Sequence, residues 1–307
     1  MSTTAPAGDF IARADTADYE TDEPVLYDVA DGIATVTMNR PGFNNAQNSQ
    51  MTYALDAALM RAVADDSVRV IVLRGAGKHF SAGHDIGTPG RDVNKSFERK
   101  LPWWDHTNKP GVEFNYAREQ EVYLGMCRRW RDIPKPTVAM VQGACVAGGL
   151  MLAWVCDLIV ASDDAFFQDP VLRMGIPGVE YFAHAHQLPP RVAREFLLLG
   201  ERMPAARAEQ LGMVNRVVAR DRLEAEVLAI ATRLAGQPRM GMALTKQVIN
   251  SAEDLQGLRA TMDMAYGYHQ LAHAHGQLLG NGHLGGHDAR TMAAANKGSG
   301  NKGSDKA

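Results

Sequence analysis

The sequence predicts an α/β protein built on parallel sheet and closed by a helical C-terminal region. Three observations carry this. Runs rich in β-branched residues alternate with amphipathic segments between residues 25 and 161. From Pro189 onward the apolar periodicity is helical alone. Two glycine-bearing segments, residues 78–86 (Lys-His-Phe-Ser-Ala-Gly-His-Asp-Ile) and 142–149 (Gln-Gly-Ala-Cys-Val-Ala-Gly-Gly), each follow a strand-like run and end where a helix can begin. Alternating strand and helix implies parallel strands joined by right-handed crossovers.

Taken in order, residues 1–24 are polar and acidic and read as a flexible leader without the apolar core of a secretion signal. Ile33–Met38 alternates behind the turn pair Asp31-Gly32 and reads as a strand, which Asn39-Arg40-Pro41-Gly42 ends. Met51, Leu55, Leu59 and Ala62 recur at helical spacing, so residues 49–64 form an amphipathic helix. Residues 68–73 are a buried-type strand. Residues 87–111 carry Pro89, Pro102, Trp103, Trp104 and Pro110 and are irregular, the kind of long loop that is functional or mobile. A helix over 113–131 stops at Pro134 and Pro136, before a strand at 137–141. Residues 148–156 are apolar all round, which marks a buried helix, and 157–161 are the next strand. Helices are predicted over 191–200, 205–211, 222–235, 240–252 and 258–275. The chain therefore divides into a leader (1–24), a core (25–200), a helical region (201–276) and a flexible tail (277–307) without periodicity.

The 307 residues are enough for a large buried core. A formal charge of −3 and a pI near 6.4, with no Lys/Arg block, argue against nucleic acid or an anionic membrane as partner. No apolar run reaches the roughly 18 residues of a membrane span. Cys127, Cys145 and Cys156 sit in apolar contexts without metal-type spacing and read as core residues of a reducing, cytoplasmic protein. His269, His273 and His275 recur at helical spacing, but no nearby carboxylate or cysteine completes a ligand set. They read as a solvated helix face, and no metal site is expected.

The glycine segments carry the chemistry. A helix N-terminus has N–H groups without intrahelical partners and a positive dipole end, and glycine lets a substrate approach that backbone closely. The N–H of Gly148, joined by that of His84 behind Ala82-Gly83, can hold a carbonyl oxygen as negative charge builds on it.

The chain resembles the crotonase (enoyl-CoA hydratase/isomerase) family. The matching stretches are Met38-Asn39-Arg40-Pro41, residues 70–75, Phe80-Ser81-Ala82-Gly83-His84-Asp85-Ile86, residues 134–139, 142–149 and 156–161, and Leu211-Gly212-Met213-Val214-Asn215. They come in the family's order. The resemblance implies a spiral of ββα units, a helical C-terminal region that makes trimers or dimers of trimers, and acyl-CoA thioester substrates with no cofactor beyond the substrate's own coenzyme A. It places the adenine end of coenzyme A near the loop carrying Lys78, Phe80 and Ser81, with Ala82, Asp85 and Ile86 behind it. The thioester oxygen would lie between the N–H groups of His84 and Gly148. It also exposes a departure. The two glutamates with which the family's hydratases handle water fall on Met151 and Val171, and neither side chain moves a proton.

Glu180 is the leading replacement. It is either a general acid–base at the edge of the acyl pocket or a residue held by helix N–H groups or an arginine. Asp169 is the second candidate, or else a turn aspartate before Pro170. His84 shuttles protons or packs as a bulky loop residue, and Asp85 stabilises its loop. Asp105, His106, Glu113 and Glu119 flank the irregular segment; each reaches inward or, taken singly, faces solvent. Trp103 and Trp104 wall a bulky acyl group or pack on a neighbouring subunit. The sequence thus leaves open an enoyl-CoA hydratase/isomerase-type enzyme, a hydrolase or isomerase using Glu180, and a non-catalytic acyl-CoA-binding protein.

Overall fold

The computed structural model describes residues 22–86, 92–279 and Gly286. The expected leader up to residue 21, residues 87–91 of the irregular segment, and almost all of the expected tail lie outside them. Asp31 (φ 51°) and Gly32 (φ 78°) form the left-handed two-residue turn that matches strand twist. They fold β1 (Val25–Ala30) onto β2 (Ile33–Met38) as an antiparallel hairpin. Helix α1 (Ser49–Ala64) then crosses to β3 (Val70–Gly75), parallel to β2. Asn48 caps α1 by accepting from the Met51 N–H, and Asp92 accepts from the N–H groups of Ser49 and Gln50.

Helix α2 (Gly111–Glu119), a π-helical turn (Gln120–Gly125) and α3 (Met126–Arg131) lead to β4 (Thr137–Val141). The single helix expected over 113–131 is therefore interrupted. The Met126 N–H reaches the Glu121 carbonyl five residues back, so the turn holds one residue more than an α-turn. After β4 the chain leaves the sheet for β5 (Ala144–Val146) and α4 (Gly148–Trp154), then rejoins it as β6 (Leu158–Ser162). Strand β7 (Phe166–Gln168) pairs with β5. Then come α5 (His184–Gln187), α6 (Pro190–Leu199), β8 (Met203–Pro204), α7 (Ala205–Gln210) and β9 (Arg216–Val218). Helices α8 (Leu223–Ala235), α9 (Arg239–Leu255) and α10 (Leu258–Leu278) follow, and α10 runs past the expected boundary at residue 276. No helix among the described residues is long and apolar enough to cross a membrane.

The main sheet has the order β1-β2-β3-β4-β6-β9 and the small sheet β5-β7-β8. Strand periodicity sorts the core. In β3, Ile71 and Leu73 face the interior packed by α1, α3 and α4, while Val70 and Val72 face the opposite layer, where Leu223, Val227 and Ala231 of α8 cover them. The turn after β2 is locked to the first glycine segment by a buried ion pair. Arg40 Nη2 lies 3.0 Å from Asp85 Oδ2, with side chains 0% and 3% exposed, and Arg40 also donates to the Ala46 carbonyl. Removing one partner strands a buried charge. Asp85→Ala is expected to lower unfolding free energy by about 3–5 kcal/mol, measured by urea denaturation.

Candidate functional site

A short backbone ladder joins the two glycine segments. The Phe80 N–H donates to the Gln142 carbonyl (2.8 Å), the Ser81 N–H to the Ala144 carbonyl (3.1 Å), and the Val146 N–H to the Ser81 carbonyl (3.0 Å). On the other side, the Gln47 N–H donates to Gly83 and the Asp85 N–H to Gln47. The close approach explains the glycines. A Cβ on Gly83, whose φ is +95°, would stand 2.7 Å from the Val146 carbonyl oxygen and 3.1 Å from Gly148 N; one on Gly149 would stand 2.6 Å from the Ser81 carbonyl oxygen. Ala147 (φ 48°, ψ −116°) takes up a backbone conformation rare for a residue with a Cβ, and it turns the chain into α4. The N–H groups of His84 and Gly148 thus lie on adjoining backbones, and neither donates to a backbone carbonyl among the described residues.

A compact polar wall adjoins this point. The His84 ring stacks on Tyr123 at 3.6 Å and 11°, and Arg118 donates to the Tyr123 hydroxyl. Glu180 is 2% exposed; its Oε2 lies 3.6 Å from His84 Nε2 and has no hydrogen-bond partner among the described residues. Its Oε1 lies 3.8 Å from His269 Nε2. Burial, reinforced by the charge of Glu119, raises the Glu180 carboxyl well above the usual carboxylate range. Burial pushes the His84 imidazole down to about 3. Both shifts favour the uncharged form. Among the described residues Glu180 makes no ion pair with an arginine, although its own backbone N–H and the charge of Arg118 both act to lower its pKa.

The other expected residues fall into distinct roles. Asp169 is fully buried and turned away from the pocket. It lies 2.8 Å from His184 Nε2 and accepts from the N–H groups of Val171 and Val179, so it braces the loop that carries Glu180. Met151 is buried in the core and Val171 packs against it. Phe80 and Ser81 are fully buried, and Ser81 donates to the Asn45 carbonyl. The Ala82 N–H donates to Asn44, Asp85 serves the Arg40 pair, and Ile86 packs on Met174 and Ile176. Lys78 is exposed. Trp103 and Trp104 stack on each other at 4.4 Å, and Trp104 is 49% exposed. Trp103 meets Tyr116, which meets Tyr266, so the pair forms the outer end of an aromatic row leading toward His269.

Two expectations are corrected. Glu119 does not face solvent: it is 5% exposed, while Glu113 stays outside and His106 is buried against the Val93 carbonyl. His269 and His273 are likewise buried; only His275 is on the solvated face. Burial works to raise the Glu119 carboxyl, but the imidazoles of His273 and His269 outweigh it and hold the group below its usual range. Burial lowers His269 to about 4. The histidine spacing was visible in the sequence. The carboxylate that joins it was not, because α2 reaches α10 only through the fold; Gln270, beside His269, bonds Glu119 across 151 residues.

A ββα spiral whose two glycine turns meet at the start of a buried helix is a crotonase fold. The chain belongs to the enoyl-CoA hydratase/isomerase family, whose model matches residues 28–277, and it is an enzyme of that family acting on an acyl-CoA. It is 41% identical over 270 residues to a putative enoyl-CoA hydratase, EchA13, of Mycobacterium tuberculosis, covering 84% of this chain and 83% of that one. It is 32% identical over 256 residues to the 1,2-epoxyphenylacetyl-CoA isomerase of Escherichia coli, covering 81% and 90%. A crystal structure of a probable enoyl-CoA hydratase from Mycobacterium smegmatis superposes with a TM-score of 0.76 at 44% identity, covering 85% of this chain and 98% of that one.

A Cβ on Gly148 would stand 2.4 Å from His84 Cδ2 and 2.5 Å from its Nε2. Gly148→Ala is expected to push the ring off Tyr123 at a cost of about 1–3 kcal/mol, visible as a displaced imidazole in a crystal structure and a lowered melting temperature.

Proposed function

We propose that the protein shifts the double bond of an enoyl-CoA thioester, with Glu180 as the group that moves the proton. The observation that carries this reading is one buried carboxyl beside the joined glycine turns, with apolar Met151 and Val171 where the family's hydratases hold two acids. Adding water takes one group to activate it and another to handle the proton. Moving a double bond takes only one, because the proton removed from the α carbon can return at the γ carbon.

In this reading the thioester oxygen sits between the N–H groups of His84 and Gly148, strengthened by the N-terminal end of α4. The Glu180 carboxylate takes an α proton from a 3-enoyl thioester. The electron pair spreads from the α carbon onto the oxygen and along the double bond, giving a dienolate. Glu180 then returns the proton to the γ carbon, the 2-enoyl thioester forms, and no water or co-reactant is consumed. A carboxyl with a raised pKa is the stronger base once ionised, which suits a weakly acidic C–H. His84, held neutral by burial, steers the carboxyl and takes no charge from it. The coenzyme A end lies over Lys78, in a basic neighbourhood: Lys78, Arg220 and Arg202 act with burial to depress the His79 imidazole. Self-association as a trimer or a dimer of trimers fits the exposed apolar side chains of α9 and α10, among them Met240, Val248, Leu255 and Leu271.

Glu180→Gln is expected to lower kcat and kcat/KM for a 3-enoyl-CoA together, by roughly 10²–10⁴-fold, while the dissociation constant of a saturated acyl-CoA is unchanged. Absorbance of the conjugated product and calorimetry read the two quantities. Full turnover in that variant removes Glu180 from the mechanism. The substitution of Met151 and Val171 for acids also favours a second reading, an acyl-CoA-binding protein without catalysis. Tight thioester binding by the wild-type protein, with no turnover of any enoyl-CoA offered, establishes that one instead.

A further inference from the structure

A second constellation lies behind Glu180, and the proton chemistry above does not use it. His269 and His273 stand four residues apart on α10, the spacing that puts two imidazoles on one helix face. In zinc-binding helices that spacing supplies two ligands to one ion. The third group comes from a distant element. Glu119 is the last residue of α2, at the entry to the π-helical turn, a distortion that recurs at functional sites. Here it aims Glu119 at α10. His269 Nε2 lies 3.5 Å from Glu119 Oε2, and His273 Nε2 lies 3.4 Å from Glu119 Oε1. One ligand atom from each of the three residues can be chosen so that none is more than 4.8 Å from another, and all three residues are buried.

The protonation pattern follows from the surroundings. His269 Nδ1 is 2.9 Å from the Gly178 carbonyl oxygen, which can only accept, so Nδ1 carries the hydrogen. In the neutral ring Nε2 is then a bare lone pair, and it faces Glu119 and, at 3.8 Å, Glu180. His273 and Gln270 offset part of the Glu119 charge, and acceptors gathered out of water otherwise repel one another. Arg118, the neighbouring guanidinium, is turned to Ser49 and Tyr123. Among the described residues, no Lys or Arg forms an ion pair with Glu119 or Glu180, although the charge of Arg118 acts on both at longer range. The Glu180 carboxyl is more than nine-tenths buried; its Oε1 faces His269 and its Oε2 faces His84.

The supporting contacts are those of a metal centre. A ligating histidine almost always passes its other ring N–H to a carbonyl or carboxylate, and ligating carboxylates are themselves hydrogen-bonded. Gly178 serves His269 in this way, and Gln270 Nε2 donates to Glu119 Oε2 at 2.5 Å. Bonds of about 2.0–2.2 Å to a tetrahedral ion set neighbouring ligand atoms roughly 3.3–3.6 Å apart. Each histidine already stands at that spacing from a Glu119 oxygen, His269 from Oε2 and His273 from Oε1, so a small turn of the carboxylate, or use of both its oxygens, completes the set. Two imidazoles and a carboxylate suit zinc and related divalent transition ions over magnesium or calcium, which favour all-oxygen sites.

We infer that Glu119, His269 and His273 form a binding site for one divalent transition-metal ion, joining α10 to α2 behind the carboxyl of Glu180.

The test uses the full-length chain, stripped with chelator and titrated with Zn²⁺ by calorimetry, and with Co²⁺ by visible absorption. The expected result is one equivalent bound, with Co²⁺ bands of a low-coordinate nitrogen–oxygen site. Glu119→Gln and His273→Ala should weaken Zn²⁺ binding by about 100-fold or more, and Gln270→Ala, which keeps all three ligands, by about 10-fold. His275→Ala, on the exposed face of the same helix, should bind as the wild type does. Circular dichroism confirms that each variant is folded, and Gln270→Ala keeps the test decisive if a ligand variant is not. No stoichiometric Zn²⁺ binding by the wild type overturns the proposal. So does binding that is unchanged in Glu119→Gln and Gln270→Ala, because the ion then sits elsewhere. Turnover is not read, so the result stands apart from the role of Glu180.

Discussion

The site depends on three backbone hydrogen bonds between residues 80–81 and residues 142–146. They splice the loop after β3 onto β5, a strand that belongs to the small sheet and not to the main one. Without that splice the two glycine turns would be separate surface loops. With it, Gly83 packs against Gly148 and the first turn of α4 opens toward His84. The glycines follow from the ladder. At Gly149 any side chain would collide with the Ser81 carbonyl, which already accepts from Val146. The ladder also accounts for the buried polar residues nearby. Asn45 donates to the Ala76 and His79 carbonyls and accepts from the Arg40 N–H, which satisfies backbone that this path leaves outside any sheet.

Around the site, buried polar groups are mostly satisfied, and the exceptions cluster. Arg40 is paired to Asp85, and Asp169 to His184 and two backbone N–H groups. These bonds brace loops whose backbones could not otherwise be buried. At His84 and Glu180 two buried polar atoms without a hydrogen-bond partner among the described residues face each other at 3.6 Å. Asp169 differs in that both its oxygens are already engaged, by His184 and by the N–H groups of Val171 and Val179.

Periodicity made most of the fold legible. Strand β2, the parallel strands β3, β4 and β6 and the five C-terminal helices α6 to α10 stand close to where alternation and helical spacing put them. Strands β5, β7, β8 and β9 were not legible, since two or three residues carry no measurable period and exist through pairing with distant partners. The π-helical turn escaped for a similar reason: apolar spacing at 3.6 residues cannot register one inserted residue. In the site, glycine chemistry and family resemblance pointed to the two turns, because there the backbone itself is the device. Glu119, His269 and His273 were misjudged because each was weighed on its own element. A histidine on a polar helix is bland until a carboxylate from another helix stands opposite it, and nothing local announces that meeting.

Met151 and Val171 lie ahead of Glu180 in the chain, on α4 and just past β7, and bring no ionisable group to the interior. The ionisable groups that do gather beside the glycine turns are Glu180 on its braced loop, Glu119 at the end of α2, and the histidines of α10. Each of these depends on the C-terminal helices being docked, because His269 holds the Gly178 carbonyl two residues before Glu180. The polar face of α10 is thus part of the wall beside Glu180, while its apolar face, with Met264, Tyr268 and Leu271, remains exposed. One helix therefore presents an apolar face outward and shapes the acid inward. Whatever covers the outer face bears on the positions of His269 and His273, and through His269 on the carboxyl of Glu180.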